Sequence, residues 1–133
     1  MSKHLYPAVF TEEKDGGYSV TFPDFQGCFS EGDTLEEAYE MAFDALGLYL
    51  QDEDIKNFEY PKASNPKEIK TLENEVIVMV EFDIMEYLKK HSNRAVKKTL
   101  SIPEWLNDIA VRENVNFSQT LQNAIIEQLS IRK

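Results

Sequence analysis

The first third of the chain is written in strand periods. Leu5 to Phe10 is a nearly unbroken aromatic and aliphatic run, followed by polar Glu12 to Gly17. That stretch ends in Asp15-Gly16-Gly17, a strong hairpin-turn signal. Tyr18, Val20 and Phe22 then alternate with Ser19 and Thr21, a period of two that fits a half-buried strand. Pro23-Asp24 ends this second strand, because proline cannot donate to a ladder. Gly27 marks another turn, and Cys28 to Glu31 reads as a short third strand. At Gly32-Asp33-Thr34 the rhythm changes. Thr34 with Glu37 three residues on is a capping-box pattern. Leu35, Ala38, Tyr39, Ala42, Leu46, Tyr49 and Leu50 recur at helical spacing and give one apolar stripe for the sheet. The helix is expected to end near Gln51, in acidic Asp52-Glu53-Asp54.

Ile55 to Glu75 has prolines, many charges and no clean period, and reads as a long loop with at most one short helical or strand segment. Val76 to Phe82 is nearly all apolar, which predicts a strand buried on both faces or nearly so. Asp83 with Glu86 predicts a cap for a short helix reaching about His91, and Ser92-Asn93-Arg94 is the candidate linker. Beyond it, Lys97 to Ile102 reads as a short strand. Pro103 suits the first turn of a helix, where its missing N–H costs nothing. Trp105, Leu106, Ile109 and Ala110 give that helix its apolar face. Asn114-Val115-Asn116 is a turn. Asn116 with Gln119 caps a last helix carrying Phe117, Leu121, Ala124, Ile125 and Leu129 on one side. The expected division is 1–91 and 92–133.

Charge sharpens this division. The net charge of −10 over 133 residues hides two opposite halves. Met1 to Glu86 holds 6 lysines against 20 acids, a net of −14, and Tyr87 to Lys133 holds 8 basic residues against 4 acids, a net of +4. An acidic surface attracts a basic protein and repels nucleic acid, and a basic one does the reverse. Solubility alone is the competing explanation of the acids. The apolar fraction of 42% argues for a globular chain. The single Cys28 has no internal disulfide partner, so a reducing compartment is expected. Met1 to Tyr6 is too short and polar for a signal peptide, and no apolar run approaches the roughly 20 residues that cross a bilayer. A cytoplasmic protein without a membrane partner is expected.

The C-terminal segment is too small to bury a core unaided, since domains of about 40 residues need disulfides, metals or a partner chain. Two copies could pair their strands antiparallel and intertwine their helices. Leu100, Ile102, Trp105, Leu121 and Ile125 would then form the dimer core. Lys97, Thr99 and Ser101 would face outward to read base edges, because a two-stranded ribbon fits the major groove. Arg94, Lys98 and the start of the last helix at Asn116 and Ser118 would hold phosphates. The strand–proline–helix–turn–helix order resembles the ribbon-helix-helix repressors over about 35 residues. A helical hairpin with a β-arm that binds another protein is the alternative reading.

The N-terminal half carries a more specific pattern. Gly17 to Ala38 combines the strand, the Pro23-Asp24 turn with Gly27, the Gly32-Asp33-Thr34 helix start and an acidic helix. In this it resembles the HicB antitoxin family, with Gln26 standing where that family usually has proline before the glycine. The resemblance implies an α+β fold: a degraded ribonuclease-H-like sheet with one main helix, followed by the ribbon-helix-helix module. It also implies a bacterial or archaeal antitoxin of a type II system, which neutralises a small basic HicA-like ribonuclease with a double-stranded-RNA-binding-like fold and represses its own operon through operator DNA. The expected assembly is a homodimer, with pairing into tetramers left open.

No catalytic or metal site is legible. A ribonuclease-H centre needs several converging carboxylates for two metal ions, but the first strand has no acid in its body, and Glu12, Glu13, Asp15 and Asp24 sit in loops and turns. Cys28, His4 and His91 have no nucleophile or zinc spacing. An enzyme and a cofactor are therefore not expected. Tyr6, Phe10, Tyr18 and Phe22 read as core. Phe25 and Phe29 flank a glycine turn and suit either core or partner anchor. With Asp24, Glu31, Glu36 and Glu37 they make the expected toxin-binding set. The rivals to the antitoxin are a stand-alone ribbon-helix-helix repressor whose acidic domain senses a ligand or protein, and a vestigial nuclease.

Overall fold

The computed structural model describes residues 3–51, 55–92 and 94–131, so the acidic 52–54 segment and Asn93 of the expected linker lie outside the described residues. The chain divides into two compact units, Met1–Arg94 and Ala95–Lys133.

The first unit is built on a four-stranded antiparallel sheet. Its strands are β1 (His4–Glu12), β2 (Tyr18–Thr21), β3 (Phe29–Gly32) and β4 (Glu75–Phe82), in the order β3-β2-β1-β4. β1 outruns the expected Leu5–Phe10 because it is the central strand, paired at one side with Tyr18–Thr21 and at the other with β4 along its length. Pro7 survives in a central strand because the β1–β2 ladder begins at Val9↔Thr21, so β2 has no partner waiting for its missing N–H. Tyr6, Ala8 and Phe10 alternate onto one face, where they meet Val20, Val80 and Phe82.

Helix α1 (Leu35–Leu50) covers that face. Thr34 caps it, its Oγ1 accepting from the Glu37 amide at 3.1 Å, and Glu36 and Glu37 lie in the first turn, where carboxylates suit the helix dipole. Ala38, Ala42 and Leu46, four apart, are buried in the core. Of the stripe read from the sequence, Tyr39 and Leu50 also pack against the core, whereas Leu35 and Tyr49 are exposed. Small residues let the backbones approach closely. A Cβ on Gly32 would lie 2.4 Å from the Ala38 nitrogen, and one on Gly47 would lie 2.1 Å from the Tyr87 ring. The glycine of the Gly32-Asp33-Thr34 helix start is therefore set by strand-to-helix packing.

The turn from Phe22 to Cys28 is closed by three backbone hydrogen bonds, Phe25 to Phe22, Cys28 to Phe25 and Phe22 to Cys28. Cys28 belongs to this buried turn, so the third strand begins one residue later than expected and runs to Gly32. The 55–75 region holds two short 3-10 turns, Ile55–Asn57 and Pro66–Glu68, where at most one segment was expected. It is tied down by its aromatics: the Tyr6 hydroxyl donates to the Pro61 carbonyl at 2.6 Å, and the Ile84 amide donates to the Tyr60 hydroxyl at 3.0 Å.

β4 corrects a second expectation. It is an edge strand, not one buried on both faces. Val80 and Phe82 are buried, but Val76 is 53% exposed. A run of β-branched residues marks a strand without saying what covers it. Helix α2 (Ile84–His91) follows at once, capped by Asp83, whose Oδ1 accepts from the Met85 amide. It buries Ile84 and Tyr87.

The second unit consists of α3 (Glu104–Arg112) and α4 (Phe117–Leu129). The Asn114 turn residue adopts positive φ, and the Asn116 Oδ1 accepts from the Gln119 amide at 3.0 Å, as the capping pattern requires. Residues 97–102 form no strand in the single chain. The physical reason is that a strand needs a ladder partner, and the second unit supplies no other strand. None of its described residues is buried, and the apolar faces of both helices stand open, with Trp105 at 64% exposure.

Candidate binding surfaces

The β1–β2 hairpin and the β3–α1 corner enclose an acidic cleft of about 860 Å³. Glu12, Glu13 and Asp15 come from the hairpin, Glu31 and Asp33 from the strand end and Glu37 from the helix, with Lys14 the basic residue of the lining. Local bonds hold the hairpin in shape. Ser19 donates to Glu13 Oε1 at 2.7 Å, and the Gly17 amide donates to Asp15 Oδ1 at 3.1 Å. Glu31 reaches the cleft because β3 pairs it with Ser19 across the ladder.

A second groove of about 400 Å³ runs between α1 and β4, lined by Leu35, Glu36, Tyr39, Glu40 and Val78. The Tyr39 hydroxyl accepts from the Glu81 amide at 2.9 Å. The expected toxin-binding set is thus divided. Glu31 and Glu37 share the hairpin cleft, whereas Glu36, one residue along the helix, belongs to the groove. Phe29 is 70% exposed on β3.

Two members of that set are tied into the turn. Phe25 is 6% exposed and packs against Tyr6, Phe22 and Tyr49, so it is core and offers no anchor. The hydrogen-bonded turn folds it inward. Asp24 is half-buried and accepts from both the amide and the hydroxyl of Ser64, which makes it a tie between the turn and the 60s loop. Its charge helps raise Tyr6 to about 12, after burial and the neighbouring Tyr60. Glu12, Glu13 and Asp15 read in sequence as loop acids, but Glu12 is the last residue of β1. Only the folded hairpin brings them beside Glu31 and Glu37.

Chemistry at the remaining polar groups is structural in kind. Cys28 is buried, and burial pushes its thiol up to about 11. His4 stacks on Tyr60 with ring centroids 3.8 Å apart. Asp44 receives Lys90 at 3.0 Å and His91 at 3.1 Å. Burial opposes its ionisation, but the hydrogen bonds from Lys90 and His91 outweigh burial and hold its carboxyl below the usual range. Among the described residues, no group of three or more His, Cys, Asp or Glu is arranged to hold a metal ion. No described helix is long and apolar enough to cross a membrane.

In the second unit, Lys97, Lys98, Thr99, Ser101, Leu100 and Ile102 are all exposed, and Arg94 is exposed at the end of the first unit. The side chain of Asn116 is occupied by its own cap. Ser118, in the first turn of α4, is exposed, beside amides that lack intrahelical acceptors.

The chain's residues 6–125 match the family model described as the HicB_like antitoxin of bacterial toxin-antitoxin system. The chain belongs to this antitoxin family. The match crosses both units. Among relatives, an uncharacterised 14.9 kDa protein of the rep-hol intergenic region of Haemophilus phage HP1 is 34% identical over 106 residues, which is 77% of this chain and 75% of that protein. The antitoxin HicB of Escherichia coli K12 is 37% identical over 54 residues, 38% of this chain and 39% of its own length. Among solved structures, a chain of a toxin-antitoxin complex from Streptococcus pneumoniae is 30% identical with a TM-score of 0.58, covering 95% of this chain and 99% of that one. The antitoxin HicB3 crystal structure, 23% identical with a TM-score of 0.52 over 98% of this chain and 100% of that chain, shares the fold.

Proposed function

We propose that this HicB-like chain neutralises a small basic HicA-like ribonuclease through its first unit and represses its own operon through its second. The observation that carries this reading is the family match over 6–125, which takes in the acidic first unit and most of the second together. The acidic cleft supports the toxin half, because its six carboxylates complement a basic surface. Inhibition is by occlusion: the antitoxin covers the toxin's RNA-binding face and no bond is made or broken. The first unit is read as a degraded ribonuclease-H sheet.

The open apolar faces of α3 and α4 support the DNA-binding half. A second copy would pair residues 97–102 as an antiparallel ribbon, bury Leu100, Ile102, Trp105, Leu121 and Ile125, and turn Lys97, Thr99 and Ser101 into the major groove. Arg94, Lys98 and the α4 start would then meet phosphates.

Co-expression with a small basic HicA-like ribonuclease tests the first half. A stable complex and restored growth are expected. A small molecule bound by the first unit, with no complex formed, would instead favour the ligand-sensing repressor. Duplex titrations at two salt concentrations test the second half. Lys97→Ala and Thr99→Ala should narrow the gap between operator and scrambled DNA, whereas Lys98→Ala should weaken both and reduce the salt slope by about one. Equal weakening of both duplexes by Lys97→Ala and Lys98→Ala would remove the groove assignment.

A further inference from the structure

β4 leaves one of the sheet's edges open. Pro7 faces Met79 and has no N–H to give, and the Glu81 amide donates to Tyr39 rather than across to Leu5. Hydrogen-bonded and non-bonded pairs alternate along an antiparallel ladder. The amides of Ile77, Met79 and Glu81 therefore point away from β1. Tyr39 satisfies Glu81, but among the described residues no strand pairs with Ile77 or Met79 on that side. The opposite edge, β3, is only four residues long and closes against the start of α1 at Gly32. β4 runs for eight residues.

Natural sheets blunt such edges with lysine, proline or a bulge. The middle of β4, Ile77-Val78-Met79, has none of these. Beside it lies the groove lined by Val78 and Leu35, and Val76 on the same strand is exposed. Its charged lining is Glu36 and Glu40, and neither α1 nor β4 contains a basic residue. A second copy of this edge would bring the same carboxylates against each other. An added strand with lysine or arginine would meet them with opposite charge, while its backbone paired with the free amides.

We propose that the outer edge of β4 accepts an extended, basic segment of the partner protein as an added strand, with that segment's apolar side chains seated in the Leu35–Val78 groove. This rests on the reading that the first unit holds a basic toxin, and names where one segment of it docks.

Amide hydrogen exchange on the full chain, free and in complex with a small basic HicA-like ribonuclease, tests this. The Ile77 and Met79 amides should exchange rapidly in the free chain and become protected in the complex, with Glu81 as the internally bonded reference. Ile77→Pro deletes one outward donor at an edge position where proline is tolerated, and it should weaken the complex about tenfold. Were that variant to misfold, exchange on the unaltered chain still decides. A complex that forms with Ile77 and Met79 exchanging as in the free chain overturns the strand addition and leaves the antitoxin reading standing. So does a folded Ile77→Pro chain that binds undiminished. Protection that grows with concentration in the chain alone makes the edge a self-interface and overturns it too. Failure to form any complex removes both readings.

Discussion

Phe25 and Phe29 stand on either side of the Gly27 turn, and the fold sends them opposite ways. Sequence could not separate them, because an aromatic beside a glycine suits core and interface alike. The deciding feature is three backbone hydrogen bonds that curl Phe25 under Tyr49 and Tyr6. Phe25→Ala should lower the unfolding free energy by about 3–5 kcal/mol in urea titrations. Phe29→Ala should stay within about 0.5 kcal/mol, as exposed sites do, and any loss it causes should appear in partner binding instead. Similar stability for the two variants would count against the turn as described. Cys28, in the same turn, gives a pH signature. Burial raises its thiol from 9.0 to about 11, so the folded state holds the proton after the unfolded chain has released it. Stability should accordingly fall as pH rises through that window, and Cys28→Ser should lessen this component of the decline. Alkylation of Cys28 in the native protein should be as slow as the opening of the core.

At the scale of elements, caps and turns were the most legible features. Thr34 and Asn116 cap at the predicted three-residue spacing, and Asp83 also caps its helix but through the Met85 amide two residues on rather than Glu86, because a cap is decided by neighbours in sequence. Coverage was the least legible. β4 has the composition of a central strand but lies at an edge, and Lys97–Ile102 has the composition of a strand but finds no ladder in its own chain. Both depend on what lies across from the element, which local periodicity does not encode. The α1–α2 contact belongs with these hidden features. Asp44 and the Lys90-His91 pair are 46 and 47 residues apart yet bonded. Asp44→Asn should loosen the last turn of α2 and cost about 1 kcal/mol or less, the range of exposed ion pairs. The sign with pH follows from the lowered carboxyl. The pair's contribution is complete above the unfolded value of 3.8 and is lost as pH falls through the lower folded value. Acid titrations of the variant and the parent should converge there, and curves that stayed parallel would show that Asp44 carries no linked charge.

The whole molecule joins a unit that closes its own core to one that does not. In the first, β1 is enclosed by two strands, and α1 and α2 complete a cluster that includes Tyr6, Phe10, Leu46 and Phe82 with almost no exposure. In the second, the described residues of both helices include none that is buried, and Trp105, Ile109, Ile125 and Leu129 stay open to water. Isolated helices of this length are marginal in water, and on the proposed reading a second copy supplies the burial that stabilises the second unit. The antitoxin should therefore show two thermal transitions of different order. The first unit should melt at a temperature independent of concentration. The second should melt at a temperature that rises with concentration, because dissociation and unfolding are then one event. Trp105, the single tryptophan, reports on the second unit selectively. Its fluorescence should shift to longer wavelength on dilution, while far-ultraviolet dichroism keeps the signal of the first unit. A tryptophan signal independent of concentration from nanomolar to micromolar would mean that the second unit folds alone, and the paired ribbon would have to be abandoned. A fragment ending at His91 should lose the concentration-dependent transition, keep the other and still hold the toxin.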